Sequence, residues 1–266
     1  MKVHFIGIGG IGLSALARFL NFDGHEVSGS DMKSSLITKA LEDEGIKVFC
    51  PQSETNIKDD FDLVIYSAAV TDENPELIEA RLKQIRTLSR KEALPIILGD
   101  KKNYCVAGAH GKSTTTAILA SILQSSALIG AISKDFGSNF RYVNDLIAFE
   151  ADESDASFLL SNPYCAIVTN AEPEHMEYYH YDYDKFYESY ERFISLATKK
   201  VVNGEDKDIK KLKIEDATYL YPSKDIKNLC YTLRDNQPCT KFDLKDLGTF
   251  EVWGFGFHMA SNASLA

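Results

Sequence analysis

The sequence predicts an α/β protein built from two successive parallel-sheet domains. Three observations carry that expectation. Short apolar runs that read as strands buried on both faces alternate with helical patterns. A glycine-rich turn opens the first helix, and a second turn with glycines, a lysine and hydroxyls opens another near residue 108. A length of 266 residues suits two domains of ordinary size. With 44% hydrophobic and 26% charged residues, the composition is that of a soluble globular protein. There are 39 acidic against 29 basic residues and no long basic run, which excludes a phosphate-neutralising nucleic-acid surface.

Val3 to Ile8 reads as the first strand and runs into Gly7-Ile8-Gly9-Gly10-Ile11-Gly12, a G-x-G-x-x-G. Leu13 to Phe22 follows at helical spacing, and a second strand, His25 to Gly29, leads to Asp31. Strand, glycine turn, helix, strand and acid in that order form the setting of a Rossmann-like dinucleotide turn, in which bare N–H groups approach a diphosphate. The apolar N-terminus is broken by glycines and by Arg18, so it is neither a signal peptide nor a membrane span. Ser34 to Gly45 reads as a helix, Lys47 to Cys50 and Asp62 to Ser67 as strands, and Pro75 to Gln84 as a helix. Ser67 leaves the carboxyl end of its strand, where ligands of open parallel sheets sit.

A boundary falls after residue 100, and a new strand, Tyr104 to Ala107, enters Gly108-Ala109-His110-Gly111-Lys112-Ser113-Thr114. Glycine, lysine and hydroxyl at a strand-to-helix turn form a phosphate loop like that of P-loop ATPases. Backbone N–H groups cradle phosphate oxygens, Lys112 adds charge, and Ser113 offers a ligand to Mg²⁺. Val106 stands where the full-length loop motif has glycine, so this loop is a shortened variant. Asp145 to Phe149 reads as a strand ending in the acidic run Glu150 to Asp155, and Cys165 to Thr169 as another, leading to His175. Lys112, Glu153 and His175 are thereby expected on one sheet edge, where phosphate and metal can meet, with His175 read as a metal ligand. The tyrosine-rich stretch from Tyr178 to Tyr190 is expected to pack a core and helix face rather than stack bases.

The segments IGIGGIGLSALA, YSAAVTDENPE, GAHGKSTTT, FEADESDASFL and VTNAEPEHM resemble, in this order, the N-terminal and central domains of the Mur ligases, the amide-forming enzymes of bacterial peptidoglycan synthesis. The resemblance implies a UDP-sugar domain over 1–100, an ATP domain over 101–256, and over 257–266 the opening of a third domain that is otherwise absent. It implies that Gly9, Gly10, Ile11 and Gly12 grip the diphosphate of UDP-N-acetylmuramate, with Asp31 and Ser67 near the nucleotide. ATP would meet Gly108, Ala109, His110, Gly111, Lys112, Ser113, Thr114 and Asn262. Mg²⁺ would be held by Ser113, Glu153 and His175, and Lys112, Glu153 and His175 would carry the chemistry. Ala109 stands where the family has threonine, and Met259 replaces an asparagine. Sister enzymes carry a modified lysine where this chain has Tyr190, which implies the branch that adds L-alanine. The chain then reads as two-thirds of a three-domain enzyme, expected not to complete ligation alone. No nucleic-acid or membrane partner is expected.

The five cysteines are widely spaced, without Cys-x-x-Cys, and read as reduced thiols in a cytosol, which the resemblance implies is bacterial. Three readings stay open beside the resemblance: an NAD-dependent oxidoreductase with a coincidental phosphate loop, a non-catalytic nucleotide-binding regulator, and the related ligase for a recycled tripeptide.

Overall fold

A computed structural model describes residues 1–99 and 101–266. By contacts the chain divides into two units, residues 1–99 with 128–142, and residues 100–127 with 143–266.

The first unit alternates strand and helix: β1 (Lys2–Ile6), α1 (Ile11–Phe22), β2 (Glu26–Ser30), α2 (Leu36–Asp43), β3 (Lys47–Phe49), β4 (Leu63–Tyr66), α3 (Pro75–Leu82), β5 (Arg86–Ser89) and α4 (Arg90–Leu98). Its five strands lie in the order β3-β2-β1-β4-β5, all parallel. This is the doubly wound arrangement, with the order reversing beside β1. Val3, Phe5 and Ile6 are fully buried because helices cover both faces of the sheet. The first strand stops at Ile6, two residues earlier than the apolar run suggests, since Gly7 takes φ +82° and turns the chain. β5 and α4 escape sequence patterning: the strand is short and only half-buried, and the helix contains Pro95.

Two buried polar networks fasten this unit. Arg18, only 5% exposed, donates to Glu44 and to Asn139 at 2.7 Å each, and Asn139 in turn donates to Ser14 Oγ at 3.0 Å. Glu76, completely buried, accepts hydrogen bonds from Ser30 Oγ, from Asn56 Nδ2 at 2.7 Å and from the Ser53 N–H at 3.1 Å, with His4 Nε2 3.6 Å away. Burial alone would raise the Glu76 carboxyl, but the neighbouring His4 and the bonds from Ser30 and Asn56 hold it below the usual carboxylate value.

In chain order there follow β6 (Lys102–Ala107), α5 (Lys112–Leu123), β7 (Ser126–Ser133), β8 (Ser138–Arg141), β9 (Leu146–Glu150), β10 (Pro163–Val168), α6 (Tyr183–Leu196), β11 (Lys199–Asn203) and β12 (Thr218–Leu220). They form a seven-stranded sheet ordered β12-β11-β10-β6-β9-β7-β8, in which the neighbours from β12 to β9 are parallel. The tyrosine-rich stretch behaves in two ways. Tyr179 and Tyr190 are buried with Phe186 and Phe193, whereas Tyr181 and Tyr183 are exposed. Phe158 stacks on Phe193 at 4.8 Å and meets Tyr190 edge-on at 5.2 Å, which anchors α6.

The remaining elements are α7 (Pro222–Asp225), β13 (Ile226–Arg234), β14 (Gln237–Leu244), β15 (Thr249–Trp253) and α8 (Phe257–Leu265). The three strands form an antiparallel meander. Ala260 of α8 packs with Ile226, Phe242, Leu244 and Val252 in one small core. All five cysteines are free, and burial pushes the Cys105 thiol up to about 12 and Cys165 to about 11, so neither forms a thiolate at neutral pH.

Candidate functional site

The helices α2, α3, α4 and α6 each begin with a side-chain cap, from Ser35, Asn74, Ser89 and Asp182. α1 and α5 do not. Their N-caps are Gly10 and Gly111, no side chain caps their first-turn N–H groups, and no acid lies there. Free N–H groups and the positive end of the dipole therefore stay available to an anion at both turns.

At the first turn the Gly9 N–H donates to Asp31 Oδ2 at 2.9 Å, while Asp31 Oδ1 accepts from the Met32 N–H at 2.8 Å. Asp31 thus braces the turn itself. Gly7 needs its glycine twice over, for φ +82° and because a Cβ would lie 3.0 Å from Ser67 Cβ. That closeness follows from the pairing of β1 with β4, which brings Ser67 beside the turn at the switch point of the sheet. Gly10 and Ile11 open the helix between them. Sequence reading overlooks Arg90, whose Nη1 lies 3.5 Å from the place a Cβ on Gly12 would occupy. Its signal is a basic residue at the start of a helix that follows a weak edge strand.

The second turn is built between three parallel strands, with β6 in the middle, β10 on one side and β9 on the other. Gly108 adopts φ +136°, and a Cβ there would come within 2.2 Å of Thr169 Oγ1. The loop is latched to the end of β10. The His110 carbonyl accepts from Thr169 Oγ1 at 2.6 Å and from Asn170 Nδ2 at 2.8 Å, and the His110 N–H donates to Asn170 Oδ1 at 3.2 Å. Ala109 and Thr114 are half-buried within this loop and the first turn of α5. The exposed His110 ring lies 3.4 Å from Glu174 and 3.8 Å from Glu172. From α8, Asn262 Oδ1 lies 2.6 Å from the site of a Gly111 Cβ, so Asn262 is placed directly on the loop.

Lys112 Nζ donates to the Gly108 carbonyl at 2.6 Å and to Glu153 Oε1 at 2.8 Å. Ser113 Oγ donates to Glu150 Oε1 at 3.0 Å. Glu153 is 2% exposed, and its Oε2 is buried without a hydrogen-bond partner among the described residues. Burial raises the Glu153 carboxyl above its usual value, with Lys112 pulling the other way. An orphan buried carboxylate oxygen beside a lysine and a hydroxyl is the donor set that a hard cation and phosphate would satisfy. His175, with left-handed φ of +51°, is exposed on the segment after β10. Among the described residues no group of three or more His, Cys, Asp and Glu side chains is gathered closely enough to hold a metal.

Family models match nearly all of this architecture. Residues 2–102 match the Mur ligase family catalytic domain, and residues 106–266 match the Mur ligase middle domain. The chain belongs to the Mur ligase family. This Mur ligase chain is 58% identical over 266 residues to the UDP-N-acetylmuramate–L-alanine ligase of Campylobacter curvus (strain 525.92), covering all of itself and 61% of that protein. It is 49% identical to the ligase of the same name from Helicobacter pylori (strain P12), covering 59% of it. The chain therefore spans about three-fifths of the length of the curated relatives it matches. Among solved structures, the UDP-N-acetylmuramate–alanine ligase of Thermotoga maritima aligns over the whole chain and 63% of its own length, with a TM-score of 0.83 and 29% identity. A UDP-N-acetylmuramate:L-alanyl-γ-D-glutamyl-meso-diaminopimelate ligase from Neisseria meningitides shares the fold at a TM-score of 0.80 and 23% identity, over 99% of this chain and 91% of that one. Among the described residues no helix of this Mur ligase is long and apolar enough to cross a membrane.

Proposed function

We propose that the whole protein joins L-alanine to the carboxylate of UDP-N-acetylmuramate at the expense of ATP. The observation that carries this reading is the loop from β6 to α5, flanked by β9 and β10, with Lys112 held against buried Glu153. The relatives' names favour alanine over a tripeptide as the incoming amine.

In this reading the turn of Gly9, Gly10, Ile11 and Gly12, with Ser67 nearby, binds the diphosphate of the UDP-sugar on its uncapped helix. Asp31 keeps that turn in shape. The loop from Gly108 to Thr114 cradles the ATP phosphates, and Asn262 borders the same loop. Lys112 exchanges its bond to Glu153 for the β- and γ-phosphates, which neutralises charge where the phosphoryl group moves. A substrate carboxylate oxygen attacks the γ-phosphorus, and the bond to the β–γ bridging oxygen breaks, releasing ADP and leaving an acyl phosphate. The alanine amine then attacks the acyl carbon, the carbon–oxygen bond to phosphate breaks, and the nitrogen loses its proton as inorganic phosphate departs. Ser113, Glu153 and His175 would hold Mg²⁺, with Glu150 orienting Ser113. When bound, that ion would supply charge neutralisation at the phosphates. The protein's own contribution is positioning and electrostatics.

Phosphate release by the full-length protein tests the reading. The expected result is release that requires ATP, UDP-N-acetylmuramate and L-alanine together. Release that ignores alanine, or binding of NAD in preference to the UDP-sugar, would sink it.

A further inference from the structure

We propose that Tyr179 is a positioning residue that holds the loop of Glu153 and the segment of His175 in fixed relation. This inference rests on the metal-holding role proposed above for those two side chains.

Neither side chain sits on a regular element. Residues 151–153 follow the end of β9 without helix or strand, and His175 lies in the connection from β10 to α6. A pair of ligands on two loops needs something to fix its separation. Tyr179 does so. It is 5% exposed, and its hydroxyl donates to the Glu153 carbonyl at 2.7 Å. Its backbone helps close the turn after His175, with the Tyr179 N–H donating to the Met176 carbonyl at 3.1 Å and the Tyr181 N–H to the same oxygen at 3.0 Å. Ser189 Oγ of α6 lies 3.3 Å from the Tyr179 hydroxyl, and Phe186 meets the tyrosine ring edge-on at 5.1 Å. The bond thus joins the Glu153 loop to the His175 segment, with a buried helix face as its abutment. In such apolar surroundings water does not replace a lost hydroxyl. The Glu153 carbonyl also accepts from the Ala156 N–H at 3.1 Å, so removing the tyrosine hydroxyl frees the loop without orphaning that oxygen.

The test is a Mg²⁺ titration of the 266-residue chain with a fluorescent ATP analogue, alongside the same analogue in EDTA and melting of the unliganded protein. Tyr179→Phe is expected to raise the half-saturating Mg²⁺ concentration roughly fivefold, the value of one buried hydrogen bond. Affinity in EDTA should stay near wild type, and the unliganded melting temperature should fall by no more than about 4 °C, the loss expected for one hydrogen bond. A weakening equal with and without Mg²⁺, or no change, overturns the proposal. Ser189→Ala is expected to shift the Mg²⁺ requirement in the same direction, by about twofold. If the phenylalanine variant does not fold, an unmoved Ser189→Ala decides against the proposal. Glu153→Gln separates the two levels. If it shifts the Mg²⁺ requirement while Tyr179→Phe does not, only the role of Tyr179 falls; if it has no effect, the metal-holding reading falls and this inference with it.

Discussion

At residue scale, Lys112 and Glu153 hold each other in the turn proposed to bind phosphate. The lysine side chain is 17% exposed and that of the glutamate 3%, so their 2.8 Å contact is nearly dry. In the proposed function, nucleotide binding would exchange one partner of the lysine for another at little further desolvation cost, because the lysine is already largely out of water. Lys112→Ala should abolish binding of an ATP analogue in calorimetry and lower turnover of the full-length protein roughly a hundredfold or more. Near-normal affinity would contradict the assignment. Gly108→Ala should be as damaging for a different reason. A methyl there meets Thr169 Oγ1 at 2.2 Å and the Asn170 carbonyl at 2.8 Å, so the loop must leave its latch on β10. The glycines, lysine and hydroxyl were legible from sequence because their spacing along a single turn carries the chemistry. Asn170, Glu150 and Tyr179 were not legible as partners of the site, since each reaches it from a different strand or segment.

At element scale, the starts of the helices are of two kinds. α2, α3, α4 and α6 carry Ser, Asn or Asp as a cap, whereas the two turns assigned to phosphate start from glycine without a side-chain cap, as α8 does at Gly256. The strand–turn–helix units around residues 7 and 108 could be read from periodicity, because buried parallel strands are continuous apolar runs. β7 and β8 carried no such reading, although Asn139 on β8 turns out to hold Arg18 of α1. Asn139→Ala removes an acceptor from a buried guanidinium and two donors from α1, and should cost about 1–3 kcal/mol. Urea unfolding followed by circular dichroism checks this, and a cost below about 0.5 kcal/mol, the range of an ordinary surface change, would show that Glu44 alone satisfies the arginine.

For the whole molecule, two buried carboxylates set opposite pH responses. The Glu76 carboxyl is held below its usual 4.5, so it adds stability above that value and loses it as pH falls through its own lower value. Glu76→Gln should therefore destabilise at pH 7, with the deficit shrinking below about pH 4.5 as wild type loses the same contribution. Glu153 is raised above 4.5, so its ionisation opposes folding as pH rises through its folded value. Glu153→Gln should raise the urea midpoint at pH 7 while weakening Mg²⁺-dependent nucleotide binding. A lower midpoint would mean that the bond to Lys112 outweighs the cost of burial. This division of stability against function is expected where a charge is kept dry for a ligand.

Sequence alone determined the α/β alternation, the two glycine turns and the family, because each is written in contiguous residues whose spacing has a direct physical meaning. Only the tertiary structure decided that Asp31 braces the first turn and that Arg90 stands beside Gly12, and it sets Asn262, which the family resemblance already implied at the ATP site, against Gly111. It also decided that Tyr179 bonds the loop of Glu153. Those relations join residues that are remote along the chain, and strand order in the sheets together with helix packing brings them within bonding distance. Spacing along the sequence does not encode such proximity; the burial of apolar faces that folds the sheets creates it.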